Sequence, residues 1–126
     1  DNALAYNMLV ELGYLSNGTY HFDTEAQAAY RTYTGAAYPR GFRPSAAPHN
    51  GRSAAGFLSY ENAESIAAKG AWVRDARTGV GGTILWTINY GYLQGNGPDG
   101  RGGRNPLLAA VKCSFLLRGC PAPGTP

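Results

Sequence analysis

Eight carboxylates are the first candidates for chemistry in this chain: Asp1, Glu11, Asp23, Glu25, Glu61, Glu64, Asp75 and Asp99. Glu61 and Glu64 read most simply as acids at the start of a helix, where the dipole favours negative charge. Asp99 sits beside Gly100 among other glycines, in a turn, and has no partner to make it a general acid. His21 and His49 lie far apart without ligand-like spacing, so neither a metal nor another cofactor is expected. Cys113 and Cys120, seven positions apart, read either as a small disulfide loop suited to an oxidising compartment or as two free thiols near a helix end. The aromatic side chains offer a different chemistry. Nine Tyr and two Trp suit stacking against sugar rings, whose C–H faces match a flat apolar surface. Trp86 ends an apolar run and reads either as a core residue at a strand end or as such a platform.

Those residues need elements to position them. Residues 2–12 read as a helix capped by Asn2 and stopped by Gly13, with Leu4, Met8, Leu9 and Leu12 mostly on one side. Residues 19–23 and 27–33 read as paired strands around the turn Thr24, Glu25 and Ala26. Residues 35–54 are a loop, and 56–60 a short strand. Residues 62–77 read as a helix capped by Asn62, with Ile66, Gly70, Val73 and Arg77 on one face and small residues alongside that let it sit close to a sheet. Val80 to Trp86 is a short apolar run after a helix and a glycine turn, the pattern of a buried parallel strand. A glycine-rich loop, 89–104, precedes a last helix opened by Asn105 and Pro106, both favoured at that position. Asn17-Gly18-Thr19 meets the N-glycosylation pattern, but Asn-Gly is first a turn signal.

Composition sets limits on function. With 126 residues, 44% hydrophobic and 15% charged, the chain can form a core and is not globally disordered. Net charge is +3 with basic residues scattered rather than in a stripe, so nucleic acid is not an expected partner. No run of about 18 apolar residues offers a membrane span. No signal peptide is evident, and a start at Asp1 without Met fits a mature, processed or excised segment. A buried parallel strand needs a neighbour on each edge and helices over it. An eight-stranded α/β barrel needs about 250 residues, so this chain is either a small α+β domain or a piece of something larger.

Three motifs, in order, resemble glycoside hydrolase family 18, the chitinases. Phe57 to Ile66, FLSYENAESI, is similar to the family's "SYDDPESI" entry to its seventh barrel helix. Gly81 to Trp86, GGTILW, is similar to the eighth strand, "GGxMxW", and Trp86 to Tyr90 to its "WSINW" variant. Asn105 to Val111 resembles the "NPLLxA" start of the last barrel helix. Residues 2–33 resemble, more loosely, the α+β insertion between strands seven and eight.

The resemblance implies an α/β fold, a C-terminal fragment of a (β/α)8 TIM barrel with part of that insertion. Residues 1–55 would belong to the insertion subdomain, 56–118 to the seventh helix, eighth strand and final helix, and 119–126 to a Pro-rich linker. It implies part of a secreted chitinase that degrades β-1,4-linked N-acetylglucosamine polymers by substrate-assisted, retaining hydrolysis. A Glu would protonate the leaving oxygen while the sugar's own N-acetyl group attacks. Trp86 would be the floor under the sugar at the cleavage point, as barrel-strand C-termini line the active site. Tyr90 and Tyr92 would line the rim; Tyr33 and Arg43, with Tyr30 and Arg40, would belong to a cleft wall, against the plain reading as solvated loop residues. Trp72 would pack in the barrel shell. The family's "DxxDxDxE" signature is missing, so this chain supplies no catalytic residue and is inactive alone, and the acid expected soon after Trp86 is replaced by Asn89 and Tyr90. Its partners would be chitin or a chitooligosaccharide and the N-terminal remainder of the barrel. The alternative is a non-catalytic chitin- or carbohydrate-binding module; a relative acting on peptidoglycan or N-glycan cores is a third reading.

Overall fold

A computed structural model describes residues 3–34, 56–95 and 105–117. The fold is mixed α/β, and the chain divides into two compact units, Asp1–Tyr60 and Glu61–Pro126.

In the first unit, α1 (Tyr6–Glu11) leads into a three-stranded antiparallel sheet of β1 (Thr19–Asp23), β2 (Ala28–Tyr33) and β3 (Gly56–Tyr60), in that order across the sheet. The helix is shorter than its apolar pattern predicts. Its N-cap is Ala5, which has no side-chain acceptor, and the expected cap, Asn2, lies outside the described residues. Past its end, Gly13 has φ +78° and bonds back to the Val10 carbonyl. Asn17 donates from its side chain to the Gly13 carbonyl at 2.7 Å, so this residue is engaged in the turn that Asn-Gly signals. The β1–β2 turn is held by Asp23, whose Oδ1 accepts from the Glu25 and Ala26 amides at 2.9 and 2.8 Å. Asp23 then pairs with Ala28, and Thr19 with Thr32.

Side chains alternate across a strand, so β2 sends Ala29 and Tyr33 to one face, where both are buried. Tyr33 donates its hydroxyl to the Tyr14 carbonyl at 2.7 Å and meets the Tyr14 ring edge-on, with centroids 6.1 Å apart. Tyr14 in turn bonds its amide to the Leu9 carbonyl of α1, and Leu9 is buried. On the opposite face His21, Tyr30 and Phe57 form a ladder over all three strands, at 4.8 Å for His21–Tyr30 and 5.4 Å for Tyr30–Phe57. Because β3 pairs with β2, the first unit extends to Tyr60.

In the second unit, α2 (Ala63–Arg74) packs against α3 (Pro106–Val111) and the π turn Lys112–Leu116 that continues it. Asn62 caps α2 as expected: its side chain accepts from the Ser65 amide at 2.9 Å, while the Ser65 hydroxyl accepts from the Asn62 amide at 3.0 Å. This is a capping box with Ser in the place usual for Glu or Gln. The helix ends at Arg74, short of the expected 77, because Asp75 caps a separate 3-10 turn, Ala76–Thr78. Gly70 allows close approach not to a sheet but to the last helical segment. A Cβ there would stand 2.7 Å from the Ser114 Cβ and 2.8 Å from its carbonyl oxygen.

The eighth-strand expectation is corrected here. Val80 to Trp86 forms no strand among the described residues, and Gly81 to Trp86 is exposed, Ile84 and Trp86 each at 89%. The sheet of the first unit is antiparallel and made by other residues, so no strand among the described residues pairs with this run to complete its hydrogen bonds.

Burial pushes the Tyr33 phenol up from 10.0 to about 12, partly offset by Arg31. A raised phenol is stabilising in its neutral form, so its contribution is complete below pH 10 and is lost as pH rises toward 12. The unfolding midpoint of the first unit should therefore fall over that range. Tyr33→Phe should flatten this alkaline limb while lowering stability at pH 7 by about 1 kcal/mol through the lost bond to Tyr14. Denaturant titrations at several pH values would check both; an unaltered alkaline limb would reject the assignment.

Candidate functional site

The second unit holds a groove of about 340 Å³, bounded by α2, residues 83–88 and α3 with its π turn. Ile66, Ile84, Leu107, Val111 and Phe115 form much of its wall. A wall of this kind accepts apolar side chains more readily than polar hydroxyls, which would lose water without gaining partners. Trp86 and Thr87 stand along it, and the Trp86–Thr87 peptide bond is cis.

The polar end of the groove is already satisfied. Glu61 and Lys69 form an ion pair there. The other Glu61 oxygen accepts the hydroxyl of the fully buried Ser65 at 2.6 Å. Through these two bonds Glu61 anchors the start of α2.

Beyond Trp86 the backbone turns sharply. Thr87 begins a 3-10 turn, Ile88–Gly91, in which the Tyr90 amide bonds to the Thr87 carbonyl at 3.1 Å and Tyr92 to Asn89 at 3.2 Å. The Thr87 hydroxyl also bonds to the Asn89 side chain. Trp86 and Tyr90 therefore flank one short turn and are both exposed, Tyr90 at 49%. Tyr92, just past the turn, is exposed as well. Asn105 ties this turn to α3: its Oδ1 accepts from the Leu108 amide at 3.0 Å and its Nδ2 donates to the Ile88 carbonyl at 2.7 Å. The helix-capping role was legible in sequence; the second bond was not.

The other expected contacts fall elsewhere. Tyr33 belongs to the first unit and is fully buried, so its ring has no face to offer a sugar and is reassigned to that unit's core. Tyr30 lies on β2, stacked on His21. Arg40 and Arg43 lie outside the described residues. Trp72, on α2, is 59% exposed. Cys113 is disulfide-bonded, and Cys120, the chain's other cysteine, lies outside the described residues.

Among the described residues no cluster of three or more His, Cys, Asp or Glu could hold a metal ion, and no helix is long and apolar enough to cross a membrane. No protein-family model matches the chain, and neither does any curated protein or any solved structure.

Because Ile84 faces solvent, Ile84→Asp should change the stability of the chain by no more than about 0.5 kcal/mol. Truncating or charging a buried strand residue would cost several times that. Urea unfolding of the 126-residue chain distinguishes the two cases.

Proposed function

We propose that this chain is the C-terminal part of the catalytic barrel of a secreted family 18 chitinase, one that hydrolyses β-1,4-linked N-acetylglucosamine polymers with retention. Its share of the work is to present the sugar platform. The observation that carries the reading is Trp86: an indole at 89% exposure, at the end of GGTILW and one turn away from the exposed Tyr90. An indole this open has a face free to stack on the apolar side of a pyranose. In this reading Trp86 is the floor and Tyr90 the rim, with Arg43 on a cleft wall.

The acid chemistry then comes from an N-terminal remainder of the barrel. That remainder would supply a Glu to protonate the leaving oxygen, and the substrate's N-acetyl group would attack the anomeric carbon. The same remainder gives the segment Val80–Trp86 what it lacks. Strands on either side would complete its backbone hydrogen bonds, and apolar side chains would fill the groove walled by Ile66, Ile84 and Phe115.

A non-catalytic carbohydrate-binding module is the second reading. It is favoured by the groove's carboxylate among the described residues, Glu61, being bonded to Lys69 and Ser65 within its own unit. Binding by the chain alone separates the two: tight capture of chitotetraose without any other polypeptide favours the module.

In the protein at its full natural length, Trp86→Ala should weaken chitotetraose binding by at least about tenfold while leaving the unfolding midpoint nearly unchanged. Ile84→Asp should instead impair docking onto the barrel remainder. Isothermal titration with W86A at wild-type affinity would reject the platform, and a coding sequence upstream of Asp1 without "DxxDxDxE" would reject the catalytic form of the proposal.

A further inference from the structure

We infer that Asn105 is a positioning residue for the aromatic platform: one carboxamide caps α3 and clamps the turn that joins Trp86 to Tyr90. The inference deepens the sugar-platform reading and rests on it. Two observations place Asn105 in this role. Its oxygen and nitrogen serve separate backbone groups, the Leu108 amide at 3.0 Å on the helix and the Ile88 carbonyl at 2.7 Å on the turn. Gly91, the last residue of the turn, also lies against it. A Cβ at that position would stand 2.6 Å from the Asn105 oxygen, and 3.2 and 3.3 Å from its Cγ and Nδ2. The turn and the side chain are therefore in direct contact, and a larger residue on either side would disturb the fit.

The consequence for a sugar site is geometric. Trp86 and Tyr90 are both largely exposed, so packing on their own rings does little to fix them. Their relative placement depends on the backbone between them. That backbone is joined to α3 by the Asn105 donor, and Pro106 behind it fixes the start of the helix. A sugar that touches both rings requires them preorganised, and ordering a loose turn on binding would reduce affinity.

The two roles of the side chain can be separated by chemistry. Asp is as good a helix cap as Asn, so Asn105→Asp retains an acceptor for Leu108. It removes the donor to Ile88 and puts a carboxylate oxygen against a carbonyl oxygen. Asn105→Ala removes both bonds. Gly91→Ala leaves Asn105 intact but pushes on its carboxamide.

The experiment uses the natural full-length protein, titrated calorimetrically with chitotetraose. N105D is expected to keep the parent's unfolding midpoint and weaken binding by about five- to tenfold. N105A is expected to lose both stability and affinity, and G91A to reproduce the affinity loss of N105D. Parent affinity in both N105D and G91A would overturn the inference. If N105D fails to fold, G91A decides alone. If the parent itself shows no saturable binding, the sugar-platform reading fails instead. Hydrogen exchange then tests the clamp without sugar: faster exchange at the Tyr90 and Tyr92 amides in N105D, with Ala109 still protected, supports it, and unchanged exchange overturns it.

Discussion

Backbone amides and carbonyls that leave water must find partners, and this one requirement divides the chain. β1, β2 and β3 satisfy it among themselves, so their side chains can sort into a buried face with Ala29 and Tyr33 and an opposite, more open face. Val80 to Trp86 has the composition of a buried strand but joins no ladder among the described residues. Its residues therefore remain in water, and Ile84 and Trp86 are left open. The apolar groove beside them follows from the same shortage.

What order exists around that segment comes from side chains acting on backbone ends. Asn62 and Ser65 close the start of α2, Glu61 joins them through the Ser65 hydroxyl, and Lys69 holds Glu61 from the next turn. Asn105 performs the matching task for α3 and reaches the turn after Trp86 as well. Between these two anchored ends, Gly70 and Ser114 bring the helical segments almost backbone to backbone. The second unit is thus fastened at its helix starts and at one close crossing, while residues 81–86 lie outside that fastening.

Local signals were legible in the sequence. Both Asn caps, Pro106 at the helix start, and all three strands of the first unit follow from residue type and alternation, with boundaries within a residue or so. The long-range outcomes were not. A run such as Val80–Trp86 looks like a strand because its side chains suit one, yet strand formation depends on neighbours that a local pattern does not contain. Tyr33 was expected on a cleft wall only through the resemblance; its bond to Tyr14, nineteen positions away, has no local signature. Around Trp86 the same division holds: the cap that Asn105 makes on α3 follows from its residue type, whereas its bond to Ile88 spans seventeen residues and is invisible to any short window.

The ladder of His21, Tyr30 and Phe57 bears on how the first unit chooses its pairing. A tight turn sets the alignment of β1 with β2, but β2 and β3 are separated in sequence by residues 34–55, too many for a turn to enforce one alignment. Three rings in a row supply the missing gauge. Sliding β3 by one position would swing Phe57 off Tyr30 and onto the side that carries Ala29 and Tyr33, and bring its neighbours to the wrong side with it. The rings thus act as alignment marks, letting distant stretches of chain recognise their correct pairing by the loss of a visible stack when it is wrong.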